Sequence, residues 1–456
     1  MSQIKADQLK LIDVSAPILR LLLLVPVALA LLSSWYAGRW YVGDLIADYA
    51  PGLETGAIET AQMTTNLAPD DPLTYWTVAS LQKQALPPER VQETLAGFEK
   101  AVSLSPNDYR LWVDLGRTRE QAGDAAGGER ALRRATELAP AYTEPRWFLG
   151  NLLLRAGRTD EAFVELQRAG ETDPRLRPQI FNMAGHVFGQ DIQAISRAVG
   201  HSPAARADLA AYLVSQNRLD DALGQWNTLS AAEKLEQSVT GKALVTAMMG
   251  TKRLRAAFKI YQDVHPQGST GLKEEQVANS GFEENINFAS ENPFDWHVQS
   301  VAQAQVGIDE RHRRSGNRGL RIRYQAPNAV IANNLSQLLV VEPSTAYRLE
   351  YYVRTSELES AAMPFISILE GAEGTVLASS APLPVGTSEW RLVSIDFKTT
   401  PKTEAIVIIT NRETCSSETV CPIFGIVWYD DFNLQRGGRA AASAGTESQR
   451  ASASGA

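Results

Sequence analysis

Three prolines, Pro106, Pro140 and Pro174, stand 34 residues apart. Other positions keep the same interval: Leu115-Gly116 with Leu149-Gly150, Gly123 with Gly157, and Ala135 with Ala169. A fixed interval of this size marks stacked helix hairpins, one per repeat. The reason is steric. Gly or Ala lets the two helices of a hairpin approach closely, larger apolar residues fill the gaps, and proline stops the second helix. Less regular stretches extend the array. "DPLTYWTVASLQKQALPPERVQETLAGFEKAVSLSP" precedes it with a short insertion at its turn, residues 175–200 form a shortened hairpin, and residues 208–226 and 241–262 follow as two further units. The expectation is an α-solenoid over residues 50–264 with five or six hairpins.

"SPNDYRLWVDLGRTREQAGDAAGGERALRRATELAP" and "APAYTEPRWFLGNLLLRAGRTDEAFVELQRAGETDP" resemble tetratricopeptide repeats. The second carries Leu149, Gly150, Gly157, Ala162, Ala169 and Pro174; the first departs at Gly128, where the second has Ala162. The resemblance implies a protein partner held in a groove lined by the first helix of each hairpin. Those positions are Arg110, Val113, Arg117, Glu120 and Gln121, then Glu144, Trp147, Asn151, Leu154 and Arg155. The family's carboxylate-clamp pattern is only partly met: Asn151 fits, while Val113 and Trp147 replace basic residues. Arg117, Trp147, Asn151 and Arg155 are the peptide-contact set. The alternative is that Trp147 is core and the arginines are merely solvated.

A net charge of −8 argues against nucleic acid as a partner, since phosphate contacts need surplus Lys and Arg. Residues 16–38 ("APILRLLLLVPVALALLSSWYAG") are an apolar run of membrane-spanning length. Trp35, Tyr36, Trp40 and Tyr41 follow as an interfacial collar, and Lys5, Lys10 and Arg20 lie at the near end. The expectation is a single-pass inner-membrane anchor, with residues 1–15 cytoplasmic and the bulk of the chain periplasmic or extracellular. A signal peptide cleaved after Ala28-Leu29-Ala30, or a buried core helix, are the alternatives.

Residues 265–278 contain a turn-rich linker, "HPQGSTG", after which helical spacing gives way to period-two alternation. "YRLEYYVR" puts Tyr347, Leu349, Tyr351 and Val353 on one face and Arg348, Glu350, Tyr352 and Arg354 on the other. "LRIRYQ", "PFISILEG", "EWRLVSIDF", "EAIVIITN" and "FGIVWYDDFNL" alternate likewise, predicting an antiparallel sandwich over residues 279–435. In order, "NSGFE", "FDW", "RRSGNRGLRIRY", "VEPSTAYRLEYYVR", "SEWRLVSIDF" and "VWYDDFNL" resemble carbohydrate-binding modules of families 4 and 9. That resemblance implies a galactose-binding-like jelly roll and a structural Ca2+ held by Glu283 with Asp430 or Asp431; the alternative is that these carboxylates cap a turn and an edge. Glycan contacts are expected from Arg321, Arg323, Arg348, Glu350, Tyr352 and Arg354, with Trp296, Trp390 and Trp428 in the core. Arginine on this face suits an acidic glycan or a protein partner.

Cys415 and Cys421 are the two cysteines; they are either a small-loop disulfide or free thiols, and a disulfide is favoured if the chain is exported. Residues 436–456 are small and polar and are expected to be disordered. The five histidines are scattered, and there is no metalloprotease, nucleophile-elbow, P-loop or dinucleotide motif. The chain therefore reads as no enzyme but a scaffold, with repeats gripping a protein and a sandwich contacting glycan in surface polysaccharide assembly or export. A non-catalytic accessory to a glycoside hydrolase and a purely protein-binding assembly factor are the rival readings.

Overall fold

A computed structural model describes residues 17–52, 55–85, 91–265, 272–286, 292–299, 303–326, 335–412 and 421–437. The chain forms two compact units, one ending at His201 and the other beginning at Ser202.

The first unit runs α1 (Pro17–Tyr49), α2 (Ala57–Leu67), α3 (Pro72–Ala85), α4 (Val91–Leu104), α5 (Tyr109–Gln121), α6 (Ala125–Leu138), α7 (Thr143–Arg155), α8 (Thr159–Thr172), α9 (Arg177–Phe188) and α10 (Ile192–Val199). The 34-residue interval has a visible cause at each joint. Pro106, Pro140 and Pro174 lie just past the ends of α4, α6 and α8. Asp108 caps α5 by accepting from the Arg110 N–H at 3.0 Å, and Asp124 caps α6 by accepting from the Gly127 N–H at 2.8 Å. Gly123 and Gly157 turn each hairpin with φ of 86° and 75°. A Cβ on Gly116 would lie 3.1 Å from the Gly128 carbonyl oxygen, and one on Gly150 would lie 3.1 Å from that of Ala162. Gly128 therefore does the work that Ala162 does one repeat later. Phe98, Leu111, Leu115, Leu132, Leu149 and Leu166 fill the layers between hairpins.

The predicted membrane anchor is not found. No helix among the described residues is long and apolar enough to cross a membrane. The apolar run does not end at Gly38. It continues as one helix through Arg39, Asp44 and Asp48 to Tyr49, and its last turns pack on the first hairpin. Ala47 and Ala50 are buried there, and a Cβ on Gly43 would meet that of Ala68 at 2.9 Å. This corrects the expected single-pass inner-membrane placement: charged residues inside the helix and packing at its far end make it the first member of the helical array. Residues 1–16 lie outside the described residues.

The second unit begins with five helices, α11 (Pro203–Ser215), α12 (Leu219–Asn227), α13 (Ala231–Glu236), α14 (Ser238–Gly250) and α15 (Leu254–Val264). Asn217 and Lys252, with φ of 57° and 61°, take the hairpin-turn place that glycine holds earlier. Ten strands follow: β1 (His297–Val298), β2 (Ala304–Asp309), β3 (Gly319–Ala326), β4 (Leu335–Val340), β5 (Ala346–Ser360), β6 (Pro364–Glu370), β7 (Val376–Ser379), β8 (Gly386–Lys398), β9 (Ala405–Arg412) and β10 (Ile423–Arg436). They form two five-stranded antiparallel sheets, β1-β4-β9-β6-β7 and β2-β3-β10-β5-β8. Between them lies one apolar core in which Phe282, Trp296, Phe432, Tyr351 and Tyr347 are buried. Phe282 and Phe432 each contact the Trp296 ring, with centroids 5.3 and 5.1 Å away.

Helices and sandwich share a second core. Trp226, Met248 and Phe258 continue through Leu272, Ala278 and Phe294 to Val340 of β4. Arg255 of α15 donates to the Val341 carbonyl at 2.8 Å and pairs with Glu274 and Glu342. The described part of the expected linker is fixed: Leu272 and Val277 are buried, and Glu275 accepts from the Tyr347 hydroxyl at 2.6 Å. Cys421 is buried. Cys415 and the tail beyond Gly437 lie outside the described residues.

Candidate functional site

In the first unit, Arg117, Trp147, Asn151 and Arg155 line one groove of about 670 Å3, together with Glu120, Gln121 and Phe148. Residues three and four apart on α5 and α7 share a face, which is why the four expected contacts meet. The Arg117 guanidinium sits 4.2 Å from the Phe148 ring centre. Arg155 clasps Glu120 with two hydrogen bonds of 2.7 and 2.8 Å. Asn151 donates to the Trp147 carbonyl one turn back at 2.7 Å. Val113, expected to face the groove, is core at 2% exposure, because the hairpin beneath buries that side of α5.

Sequence reasoning missed three neighbours. Asp114 accepts from the Trp76 indole N–H at 2.7 Å and lies 3.8 Å from Arg117. Phe148 supplies the aromatic floor. The Lys83 ammonium is buried with no hydrogen-bond partner among the described residues; burial first, then the Arg117 charge, pull its pKa down. A groove lined by Arg117 over an aromatic floor suits a partner segment that brings a carboxylate.

In the second unit, the outer face of the β2-β3-β10-β5-β8 sheet carries the six expected glycan residues. Trp428 of β10 sits opposite Arg321 of β3 and Arg354 of β5. The Arg354 guanidinium lies 5.7 Å from the Trp428 ring centre, and Arg314 lies 4.5 Å from that of Tyr352. Trp428 is 4% exposed, so it is no open platform. Its indole N–H donates to Asp309 at 2.9 Å, and the Arg311 N–H and the His312 ring also reach that carboxylate, at 2.8 and 3.1 Å. Burial pushes the Asp309 pKa up, but the bonds from Trp428, Arg311 and His312 outweigh it and hold the pKa at about 2. Arg348 is spent on Asp396 at 2.7 and 2.9 Å, and Glu350 accepts from Ser394 at 3.3 Å. Arg323 is exposed and forms no ion pair among the described residues. Trp296 is core as expected, and Trp390 is half-buried.

Glu283, Asp430 and Asp431 do come together. A Cβ on Gly281 would stand 3.6 Å from an oxygen of each aspartate and 3.9 Å from the Glu283 Cγ. Their oxygens accept from the loop before β3: Glu283 from the Asn317 N–H at 2.8 Å, Asp430 from the Arg314 N–H at 2.7 Å, and Asp431 from the Ser315 hydroxyl at 2.6 Å. Burial lifts the Asp430 pKa to about 6. Among the described residues, no three His, Cys, Asp or Glu side chains are disposed to hold a metal ion.

Residues 120–184 match the tetratricopeptide repeat family. A stretch of 125 residues is 31% identical to BBSome complex member bbs-4 of Caenorhabditis elegans, covering 26% of this chain and 27% of that protein. The chain thus spans about a quarter of the length of the curated relative it matches. Among solved structures, YrrB, a tetratricopeptide protein with an unusual peptide-binding site, is 16% identical over 47% of this chain and 95% of its own, with a TM-score of 0.25. MamA from Desulfovibrio magneticus RS-1 is 13% identical over 42% and 92%, with a TM-score of 0.28. A CBM4 structure is 12% identical over 35% and 99%, with a TM-score of 0.27. Likenesses at these TM-scores carry no weight for either half. The repeat motifs, the hairpins and the family match agree over residues 120–184, which carry tetratricopeptide repeats.

Proposed function

We propose that this chain is a non-catalytic scaffold whose repeats hold a protein partner in the groove of α5 and α7 while its sandwich contacts glycan, in surface polysaccharide assembly or export. The observation that supports the first part is the groove itself, where Arg117, Trp147, Asn151 and Arg155 converge. The glycan part rests on the resemblance to carbohydrate-binding modules of families 4 and 9 and on the jelly roll it implies. A Cys415–Cys421 disulfide belongs to the same reading. One observation favours the rival assembly factor that binds protein alone: the Trp428 and Tyr352 rings are covered by arginines.

Charge reversal at Arg117 and Arg155 tests the groove. Both sit in exposed pairs contributing roughly 0–1 kcal/mol, so the double variant should melt as the parent does. A partner first captured with the parent chain should bind the double variant roughly tenfold or more weakly. Unchanged affinity would remove the groove reading.

Calcium completes the proposal. As placed, Glu283, Asp430 and Asp431 are not disposed to hold a metal, so they would hold calcium only by giving up their present bonds to the loop before β3. The full chain should melt at a higher temperature in calcium than in excess chelator, as for any ligand bound only by the folded state. Equal melting temperatures would exclude a calcium site.

A further inference from the structure

The outer face of the β2-β3-β10-β5-β8 sheet has a second feature beside the covered Trp428. Along β10, Phe424 is 44% exposed and lies on the same face as Ile426 and Trp428. Gln325 of β3 stands opposite Phe424, and Arg323 stands opposite Ile426. An exposed aromatic ring beside an exposed guanidinium and an amide is the chemistry that stacks a sugar ring and grips its substituents.

Several guanidiniums lie near by. Arg321 and Arg354 flank Trp428 two strands apart, roughly 10 Å at ordinary strand spacing. The Nε atoms of both are buried without a hydrogen-bond partner among the described residues. Arg311 and Arg323 form no ion pair among the described residues, and Arg314 rests on the Tyr352 ring. The facing acids are Asp309, buried under Trp428 and already spent, the 81% exposed Glu389, which reaches Arg354 at 3.4 Å, Glu350 of β5, which accepts from Ser394, and the exposed Glu359 of β5, which stands opposite Phe424.

We propose that this face selects an acidic polysaccharide, a chain of uronic-acid type, with Phe424 as the stacking platform and Arg323, Arg321 and Arg354 as contacts to its carboxylates. The proposal rests on the glycan reading of the sandwich and narrows it to polyanions. A neutral glucan would leave the Arg323 guanidinium, which has no ion pair among the described residues, desolvated without a counter-charge, which costs free energy. An acidic chain pairs with it in a planar, two-point geometry that guanidinium offers and ammonium does not.

Affinity electrophoresis of the full chain in gels cast with polygalacturonate, alginate or a neutral glucan tests this. The expected result is retardation by the polyuronates only, weakening as salt rises. Arg323→Glu and Phe424→Ala, both at exposed positions, should each weaken it roughly tenfold with the melting temperature unchanged. Equal retardation by the neutral glucan would overturn the acidic selectivity and leave the glycan reading standing. Retardation by no glycan would overturn both, and would favour a protein ligand for the sandwich. Equal retardation of duplex DNA, or full binding by Arg323→Glu, would overturn the proposal as a general attraction of polyanions.

Discussion

Replacing Phe258 by alanine should lower the stability of the second unit by about 3–5 kcal/mol, the range for truncating a fully packed aromatic side chain. Phe258 is 3% exposed and meets Phe294 edge-on at 4.9 Å between ring centres. It lies where the repeat core of Trp226 and Met248 becomes continuous with Phe294 and Val340 of the sandwich. A repeat array needs its last hairpin covered, because each unit buries only one face against its neighbour. Here the sandwich provides that cover, and Arg255 adds bonds to Val341, Glu274 and Glu342. The neighbours are a rigid ring, helix backbone and a strand, so the cavity has little freedom to close. At the usual 2–4 °C per kcal/mol for a unit of this size, the melting temperature should fall by roughly 6–20 °C. Helical and near-ultraviolet signals should fall together. A sandwich transition left in place while the helical signal shifts would show that the shared core does not couple the two.

That joint explains where the sequence was hard to read. The 34-residue interval exposed the hairpins because Gly116, Gly123 and Pro140 each answer a local demand: close approach, a left-handed turn, a stop. The later hairpins lose the signal because Asn217 and Lys252 make the same turn without glycine. Residues 265–278 look like a spacer because HPQGSTG is turn-rich, yet Leu272 and Val277 just after it are anchors. Local composition does not carry that tertiary fact. The apolar run from residue 16 misled for a similar reason: hydropathy registers the run, but not that Gly43 and Ala47 further along the same helix meet Ala68 and the first hairpin. The groove was legible, since spacing along α5 and α7 puts Arg117, Trp147, Asn151 and Arg155 on one face. On the sandwich, alternation chose the correct outward side chains but could not tell which would be spent. Arg348 is taken by Asp396, and Trp428 is hidden because Asp309 pins its indole from the end of β2.

That Asp309 pin sets the second large effect, which appears in acid. Asp309 is 8% exposed and its carboxylate accepts from the Trp428 indole and the His312 ring, with Arg321 at 3.9 Å. Its folded pKa of about 2 lies below the ordinary 3.8. A depressed acid stabilises the fold fully above its unfolded pKa, and the gain is lost as pH falls through the folded value. The window is therefore pH 4 down to 2, and the loss is about 2 kcal/mol. Other paired carboxylates also titrate in acid, so the informative quantity is the difference between the parent and Asp309→Asn. The amide keeps the shape but brings no charge to His312 and Arg321. It should cost roughly 1–3 kcal/mol at neutral pH, as expected for a buried charged hydrogen-bond hub. The gap between the two urea midpoints should then close as pH drops from 4 to 2, because the parent loses what the variant never had. Asp430 titrates near 6, outside that window, and does not blur the comparison. A gap that stays constant down to pH 2 would mean that the Asp309 bonds stabilise by geometry alone, with no contribution from its ionisation.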